Sequence, residues 1–346
     1  MKVYELAMGV VLFLKTVISV LINKQLAIHS VRLPLPFALD HINCYAINGR
    51  DGWWLIDAGL NTEPSRKAWQ RFMDDNDIEG SDIKGIYLTH AHPDHFGAAG
   101  WLQEITGAPV FISAADAEEI VKAWRGFGRE LTDEVMDLLY RNGLPSHLTH
   151  KATKDIIAVV PLTQPHPTFS IIEPGKNVLL GDFQYTAVFT PGHSDGHLCY
   201  FNREYGVLFS GDHLLENISP NISLWPGGEP DPLANFLESL NTNRSLPCKY
   251  VLPAHGATFD NMKLRISELE AHHNERLKSI KKYTTKGSTV YEICGQLFGQ
   301  EIKEIDLRFA MTETLAHMMY LVYRGELEVS EHNGINLFSN PMNFIP

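Results

Sequence analysis

Cysteine is scarce: Cys44, Cys199, Cys248 and Cys294 are the four in 346 residues, and no two form a C-x-x-C pair. This spacing argues against a disulfide framework and against a thiolate zinc site. It fits a reducing compartment, so the expected location is cytoplasmic. Basic charge is also short, with 29 Lys and Arg against 41 Asp and Glu and a formal net charge of −12. A broad nucleic-acid-binding face is therefore disfavoured, because phosphate contacts need clustered cations; a local basic groove stays open. There is no internal repeat and no low-complexity tract. The long apolar run, residues 6–22, carries Lys15 in its middle. A spanning helix takes about 20 apolar residues, and no small-residue cleavage site follows this run. Residues 1–26 are read as an apolar N-terminal extension, with membrane contact through residues 6–22 as the alternative. N-x-S sequons at Asn217, Asn221 and Asn243 carry no weight without a secretory signal. The sequence assigns no oligomeric state.

What the chain does contain is a regular alternation of strand and helix signals. Residues 43–47 and 53–56 read as strands around an Asn48-Gly49 turn, and Asp57-Ala58-Gly59 ends the second. A helix over 65–75, a buried strand over 85–89, a helix over 95–105 opened by Pro93-Asp94, and a strand over 109–112 follow. This predicts a layered α/β domain over 27–260. Residues 114–167 lack a strand pattern and read as a helical insertion that either packs on the domain or covers a site. Strands resume at 178–180, 185–190, 198–201, 207–209 and 250–252. Beyond Gly256, Met262, Ile266, Leu269, Leu277 and Ile280 follow helical spacing. Thr289 and Glu292 form a capping box, and Leu307, Met311, Leu315, Met318 and Val322 mark a third helix. Segments 326–329 and 335–338 flank Asn333-Gly334, a strong hairpin signal. Three helices and a hairpin predict a winged-helix domain over 261–346.

The chemistry concentrates in Thr89-His90-Ala91-His92-Pro93-Asp94-His95, where four potential metal ligands follow one apolar strand. Buried His and Asp at a strand end are costly unless solvated, paired or metal-bound. Three further apolar runs end in a small or turn-forming residue followed by a potential ligand: His193 after Pro191-Gly192, Asp212 after Gly211, and His255 after Ala254. Parallel strands ending at one edge would bring the four loops together. Gly192, Gly211 and Gly256 would let the backbone turn close to a metal.

The combination H-x-H-x-D-H, P-G-H, G-D and A-H-G, with the early Asp57-Ala58-Gly59, resembles the metallo-β-lactamase superfamily over residues 28–258. The resemblance implies a four-layer αββα sandwich with metals at one edge. His90, His92 and His193 would hold the first metal, Asp94, His95 and His255 the second, and Asp212 would bridge them. Imidazole and carboxylate ligands suit two zinc ions, with iron or manganese as alternatives. The implied reaction is hydrolysis by a hydroxide held between the metals, with Asp94 as the catalytic residue that orients the nucleophile and transfers its proton. His197 is read as a support for the site, Asp57 as a hydrogen-bond partner of the ligand loop, His213 as turned to the other strand face, and His272 and His273 as an ordinary helix face.

The C-terminal arrangement, including Arg276, 289–298 and 312–325, resembles the lactamase-like hydrolases related to β-lactamase-like protein 2. The glyoxalase II branch shares the core motifs but has a different C-terminal domain. Three readings follow: a hydrolase of an ester, thioester or lactone of a small substrate; a winged-helix metallo-ribonuclease; and a mononuclear-iron persulfide dioxygenase.

Overall fold

Two sheets hold the apolar strands of this computed structural model, which describes residues 20–341 apart from 24, 38, 125–128, 285–286 and 300–301. The first sheet has seven strands in sequence order: β1 (Val20–Asn23), β2 (Ile28–Pro34), β3 (His41–Gly49), β4 (Gly52–Ile56), β5 (Ile83–Tyr87), β6 (Val110–Ile112) and β7 (Phe169–Ile171). Strands β1 to β4 form an antiparallel meander, and β4 to β7 run parallel. The second sheet contains β8 (Asn177–Leu180), β9 (Phe183–Phe189), β10 (Leu198–Asn202), β11 (Val207–Gly211) and β12 (Tyr250–Pro253), ordered β12-β11-β10-β9-β8. Its pairs are antiparallel except β11 with β12.

The layering follows from the two-residue period of the strands. In β4, Trp54 and Ile56 face one apolar cluster while Trp53 and Leu55 face another. Strand β10 divides the same way, Leu198 and Tyr200 against Cys199 and Phe201. The inner cluster joins Tyr45, Trp54, Tyr87, Tyr185, Tyr200 and Phe209 from both sheets, and the outer one packs the sheets against helices. Strands buried on both faces read as continuous apolar runs. The result is the four-layer αββα sandwich that the family resemblance implied.

The helices are α1 (Glu63–Asp75), α2 (Pro93–Phe96), α3 (Ala99–Thr106), α4 (Ala114–Ala123), α5 (Arg129–Arg141), α6 (Ser146–Val159), α7 (Pro232–Arg244), α8 (Met262–Tyr283), α9 (Val290–Phe298) and α10 (Glu304–Tyr323). The helix expected over 95–105 is two helices. His95 O accepts from Ala58 N at 2.8 Å and Gly59 O from Ala98 N at 2.7 Å, so the Asp57-Ala58-Gly59 turn takes the backbone groups that would have continued the helix. The insertion contains α4 to α6 and is followed by β7, a strand of three residues not among those expected from the sequence. It packs on α10, where Asp155 of α6 pairs with Arg308 at 2.6 Å.

After α10, β13 (Glu328–His332) and β14 (Ile335–Ser339) form an antiparallel hairpin. Ser288, between α8 and α9, bridges Phe338 of that hairpin. Residues 6–19 of the apolar N-terminal run lie outside the described residues, whereas β1 pairs with β2 and extends the sheet ahead of residue 27. Among the described residues no helix is long and apolar enough to cross a membrane.

Phe209 is fully buried between the sheets, with its ring centroid 5.0 Å from that of Tyr45. Phe209→Ala should cost about 3–5 kcal/mol of stability. Urea denaturation measures this, and a loss below about 1 kcal/mol would contradict the burial.

Candidate metal centre

Strands β9, β11 and β12 deliver His193, Asp212 and His255 at one edge, and β5 delivers the loop from Thr89 to His95. The delivering strands of the second sheet are not consecutive parallel neighbours, as the sequence had suggested. β9 and β11 point the same way because antiparallel β10 lies between them, and β11 pairs parallel with β12. The two sheets are stitched at this edge. Tyr200 Oη donates to Leu88 O at 2.9 Å, and Leu198 N donates to Thr89 O at 2.8 Å. Tyr45 Oη donates to Pro253 O at 2.7 Å, beside the His255 loop.

The seven predicted side chains converge. His90, His92 and His193 form one group whose potential ligand atoms lie within 4.8 Å of one another, and Asp94, His95 and His255 form another. A third group, His90, His95 and Asp212, links them. His90 Nε2 and His92 Nδ1 are 2.9 Å apart. Asp212 faces both sides: its Oδ2 is 3.4 Å from His193 Nε2, and its Oδ1 is 3.5 Å from the Nε2 atoms of His95 and His255. Asp94 Oδ2 is 3.3 Å from His255 Nε2.

Hydrogen bonds on the far side of the rings fix which nitrogen is presented. His95 Nδ1 donates to Asp57 Oδ2 at 2.8 Å, His193 Nδ1 to Asn221 O at 2.8 Å, and His255 Nδ1 to His41 O at 2.9 Å. Thr89 Oγ1 donates to Asp57 and lies 3.0 Å from His90 Nδ1. The Nε2 atoms of His95, His193 and His255 and Asp212 Oδ1 are buried with no hydrogen-bond partner among the described residues. Four buried polar atoms of this donor set, unpartnered and facing one another, fit divalent cations and suit no apolar ligand.

Asp57 acts as the sequence suggested, and it does so at φ +59°, a conformation costly for a non-glycine residue. Its carboxylate accepts from Thr89 N, Thr89 Oγ1 and His95 Nδ1. His197 stands behind the ligands: Asp212 N donates to its Nε2 at 3.3 Å, and its Nδ1 lies 2.8 Å from Thr190 Oγ1. His213 is turned away, with its ring centroid 5.3 Å from that of Phe236. Gly192 and Gly211 serve protein packing rather than approach to a metal, whereas a Cβ on Gly256, at φ +85°, would meet only Glu216 Cβ at 4.0 Å. A Cβ on Gly192 would lie 2.5–2.6 Å from Phe236, and one on Gly211 would lie 2.8 Å from His197 Nε2, both at positive φ.

Asp116 gave no signal in the sequence, because it sits among the charges of the helical insertion. It is fully buried in the first turn of α4, which Ser113 caps. Its Oδ2 accepts from Ala91 N at 3.0 Å and Ser194 Oγ at 2.8 Å, and its Oδ1 accepts from Gly196 N at 2.7 Å. One carboxylate thus ties the His90–His92 loop to the His193 loop. Burial pushes it up to about 6, although its hydrogen bonds pull the other way.

Protonation divides the centre into two halves. Burial, then the neighbouring His193, pushes His92 down to about 3, and burial also holds His90 well below its usual range. For His255 burial opposes charge, but Asp212 and Asp94 outweigh it and raise it to about 9. For His95 burial is likewise outweighed by Asp212, Asp57 and Asp94. Burial would raise Asp94, but His95 and His255 hold it at about 2. Without a cation, these shifts favour imidazolium at His95 and His255 beside charged Asp94 and Asp212 at neutral pH.

The chain is similar to known proteins in both sequence and fold. The family profile described as "Metallo-beta-lactamase superfamily" matches residues 38–255, and one described as "Metallo-beta-lactamase-like, C-terminal domain" matches residues 277–341. "Probable metallo-hydrolase YqjP" of Bacillus subtilis (strain 168) is 28% identical over 294 residues, 84% of this chain and 90% of that protein. An "Atrochrysone carboxyl ACP thioesterase" of Pseudocercospora fijiensis is 22% identical over 260 residues, 73% of this chain and 62% of that protein. A crystal structure of a metallo-beta-lactamase family protein from Thermus thermophilus superposes with a TM-score of 0.80 at 28% identity, covering 90% of this chain and 98% of that one. A "Beta-lactamase domain protein" from Burkholderia ambifaria gives 0.80 at 29% identity, covering 90% and 92%.

Cation binding to His95 and His255 must displace their protons. Affinity at this half should therefore rise with pH up to about 9, the value of His255. His90 and His92, both held below their usual range by burial, should contribute no proton release of their own at neutral pH. Zinc titration of the apoprotein in weakly buffered solution at pH 7 should release protons; release of none would contradict the assigned charges.

Proposed function

Because this chain belongs to the metallo-beta-lactamase superfamily, we propose that it is a two-metal hydrolase that cleaves an ester, thioester or related acyl bond of a small substrate. One observation carries this reading: Asp212 presents one oxygen to the His90–His92–His193 side and the other to the Asp94–His95–His255 side. The first trio would hold one cation, the second trio another, and Asp212 would span them, with zinc favoured by the donor set. Bound there, two divalent cations supply Lewis acidity, lowering the pKa of water so that a nucleophile exists near neutral pH and polarising the scissile carbonyl.

The residues of the chain then have distinct tasks. Asp94 keeps 20% of its side chain exposed while remaining 3.3 Å from His255 Nε2, so it is reachable by water from the mouth of the site. It orients the attacking water, and its carboxylate is placed to accept the departing proton. His193 and His255, each donating from Nδ1 to a backbone carbonyl, stay in the tautomer that presents Nε2. Asp57 and Asp116 hold the loops, so little reorganisation accompanies the reaction.

The acyl class is supported by the relatives named as a metallo-hydrolase and a thioesterase. The ribonuclease reading gains nothing from the charge of −12 or from β13, whose exposed residues include Glu328 and Glu331. We read α8 to α10 with the hairpin as a winged-helix domain, supported by their order and by the bridge from Ser288 to Phe338.

Zinc-reconstituted protein should hydrolyse members of an acyl-thioester panel and leave single-stranded RNA intact. Asp94→Ala should lower kcat by about 10²-fold or more. Unchanged turnover in that variant, or turnover of RNA alone, would overturn the assignment; one iron per chain with oxygen consumption would favour the dioxygenase.

A further inference from the structure

We infer that the C-terminal helices α8 and α10 position the metal-facing imidazole of His193, with Asn221 as the positioning residue between them. This inference rests on the reading that His193 faces a cation. His193 is oriented by a single carbonyl, Asn221 O, 2.8 Å from its Nδ1. Asn221 lies in the connection between β11 and α7, outside any helix or strand. A carbonyl in such a segment fixes a ring only if the segment itself is held.

The C-terminal helices supply that hold, residue by residue. Arg265 of α8 donates from Nε to Leu215 O at 2.7 Å and from Nη2 to Ile218 O at 2.9 Å. Ser219 Oγ lies 3.4 Å from His273 Nε2 on the same helix. Asn221 Nδ2 donates to Glu313 Oε2 of α10 at 2.8 Å, and Asn221 Oδ1 accepts from Ser223 Oγ. Both ends of the Asn221 amide are therefore occupied. Ser223 Oγ in turn lies 2.8 Å from Thr312 Oγ1. Glu313 pairs with Arg276 of α8 at 3.0 Å, with side chains only 12% and 17% exposed, and the Arg276 guanidinium lies 4.6 Å from the centroid of the Phe298 ring.

The His273 of the His-His pair is absorbed by the same framework. His317 Nδ1 donates to Glu313 O at 2.8 Å, leaving its Nε2 to accept from His273 Nδ1 at 2.9 Å. His273 Nε2 is thereby an acceptor toward Ser219. His95 and His255 are oriented differently, by Asp57 and His41 of the first sheet's meander. His193 and the pair His95 and His255 thus draw their orientation from different parts of the chain. Loosening the C-terminal hold should weaken the His193 half and spare the other.

The test uses full-length protein and zinc competition against a chromophoric chelator, with apoprotein thermal melting alongside. Asn221→Ala keeps the backbone carbonyl and removes the clamp. It should weaken one of two zinc-binding steps by about 10–100-fold, the range typical for partners of metal ligands, and leave the other within about threefold. Glu313→Gln still offers an amide oxygen to Asn221 and should bind zinc as wild type does, even with a lower Tm. If Asn221→Ala does not fold, Ser223→Ala, which frees the other end of the amide, carries the same expectation. Wild-type protein that fails to bind two zinc ions would refute the two-metal reading itself. Wild-type protein that binds two, with Asn221→Ala retaining both affinities or weakening both equally, would overturn the positioning role alone.

Discussion

The fold is organised around a desolvation problem. Three imidazole nitrogens and a carboxylate oxygen, on His95, His193, His255 and Asp212, lie buried and face one another without a hydrogen-bond partner among the described residues. Such groups are expensive to remove from water. Protons on His95 and His255 would relieve part of the cost through the nearby charges of Asp94 and Asp212, and cations would relieve it more completely. Each neighbouring hydrogen bond can be understood as fixing the direction in which a lone pair points.

Orientation comes from several regions rather than one. The first sheet contributes Asp57 and the His41 carbonyl, the helical insertion contributes Asp116, and the C-terminal helices hold Asn221. Of the two roles considered for the insertion, packing has direct contacts: Asp116 binds two ligand loops, and Asp155 meets Arg308 of α10. The buried Asp155–Arg308 pair is weak evidence for stability in itself, but it joins the insertion to the same helix that holds Asn221.

Much of this was legible in the sequence because the ligands announce themselves locally. His90, His92, Asp94, His95, His193, Asp212 and His255 each follow an apolar strand and a turn, and the structure brings them together. The layered sheets were visible through apolar runs, and α9 through the Thr289–Glu292 capping box, which is present. Other features depend on tertiary contacts that no local pattern encodes. The break between α2 and α3 arises because a distant turn captures their backbone groups. Strand β7 is too short to show a period. Asp116 looks like any helix charge until its three donors are seen, and Asn221 acts through a carbonyl that every residue possesses. His273 resembled a surface residue beside His272, yet only His273 is buried.

The most direct test is an anomalous difference map from crystals of the zinc-loaded protein, recorded on both sides of the zinc absorption edge. Two peaks per chain should appear, one bounded by His90, His92 and His193 and one by Asp94, His95 and His255, with Asp212 between them. Absence of peaks there, with zinc bound elsewhere, would contradict the account.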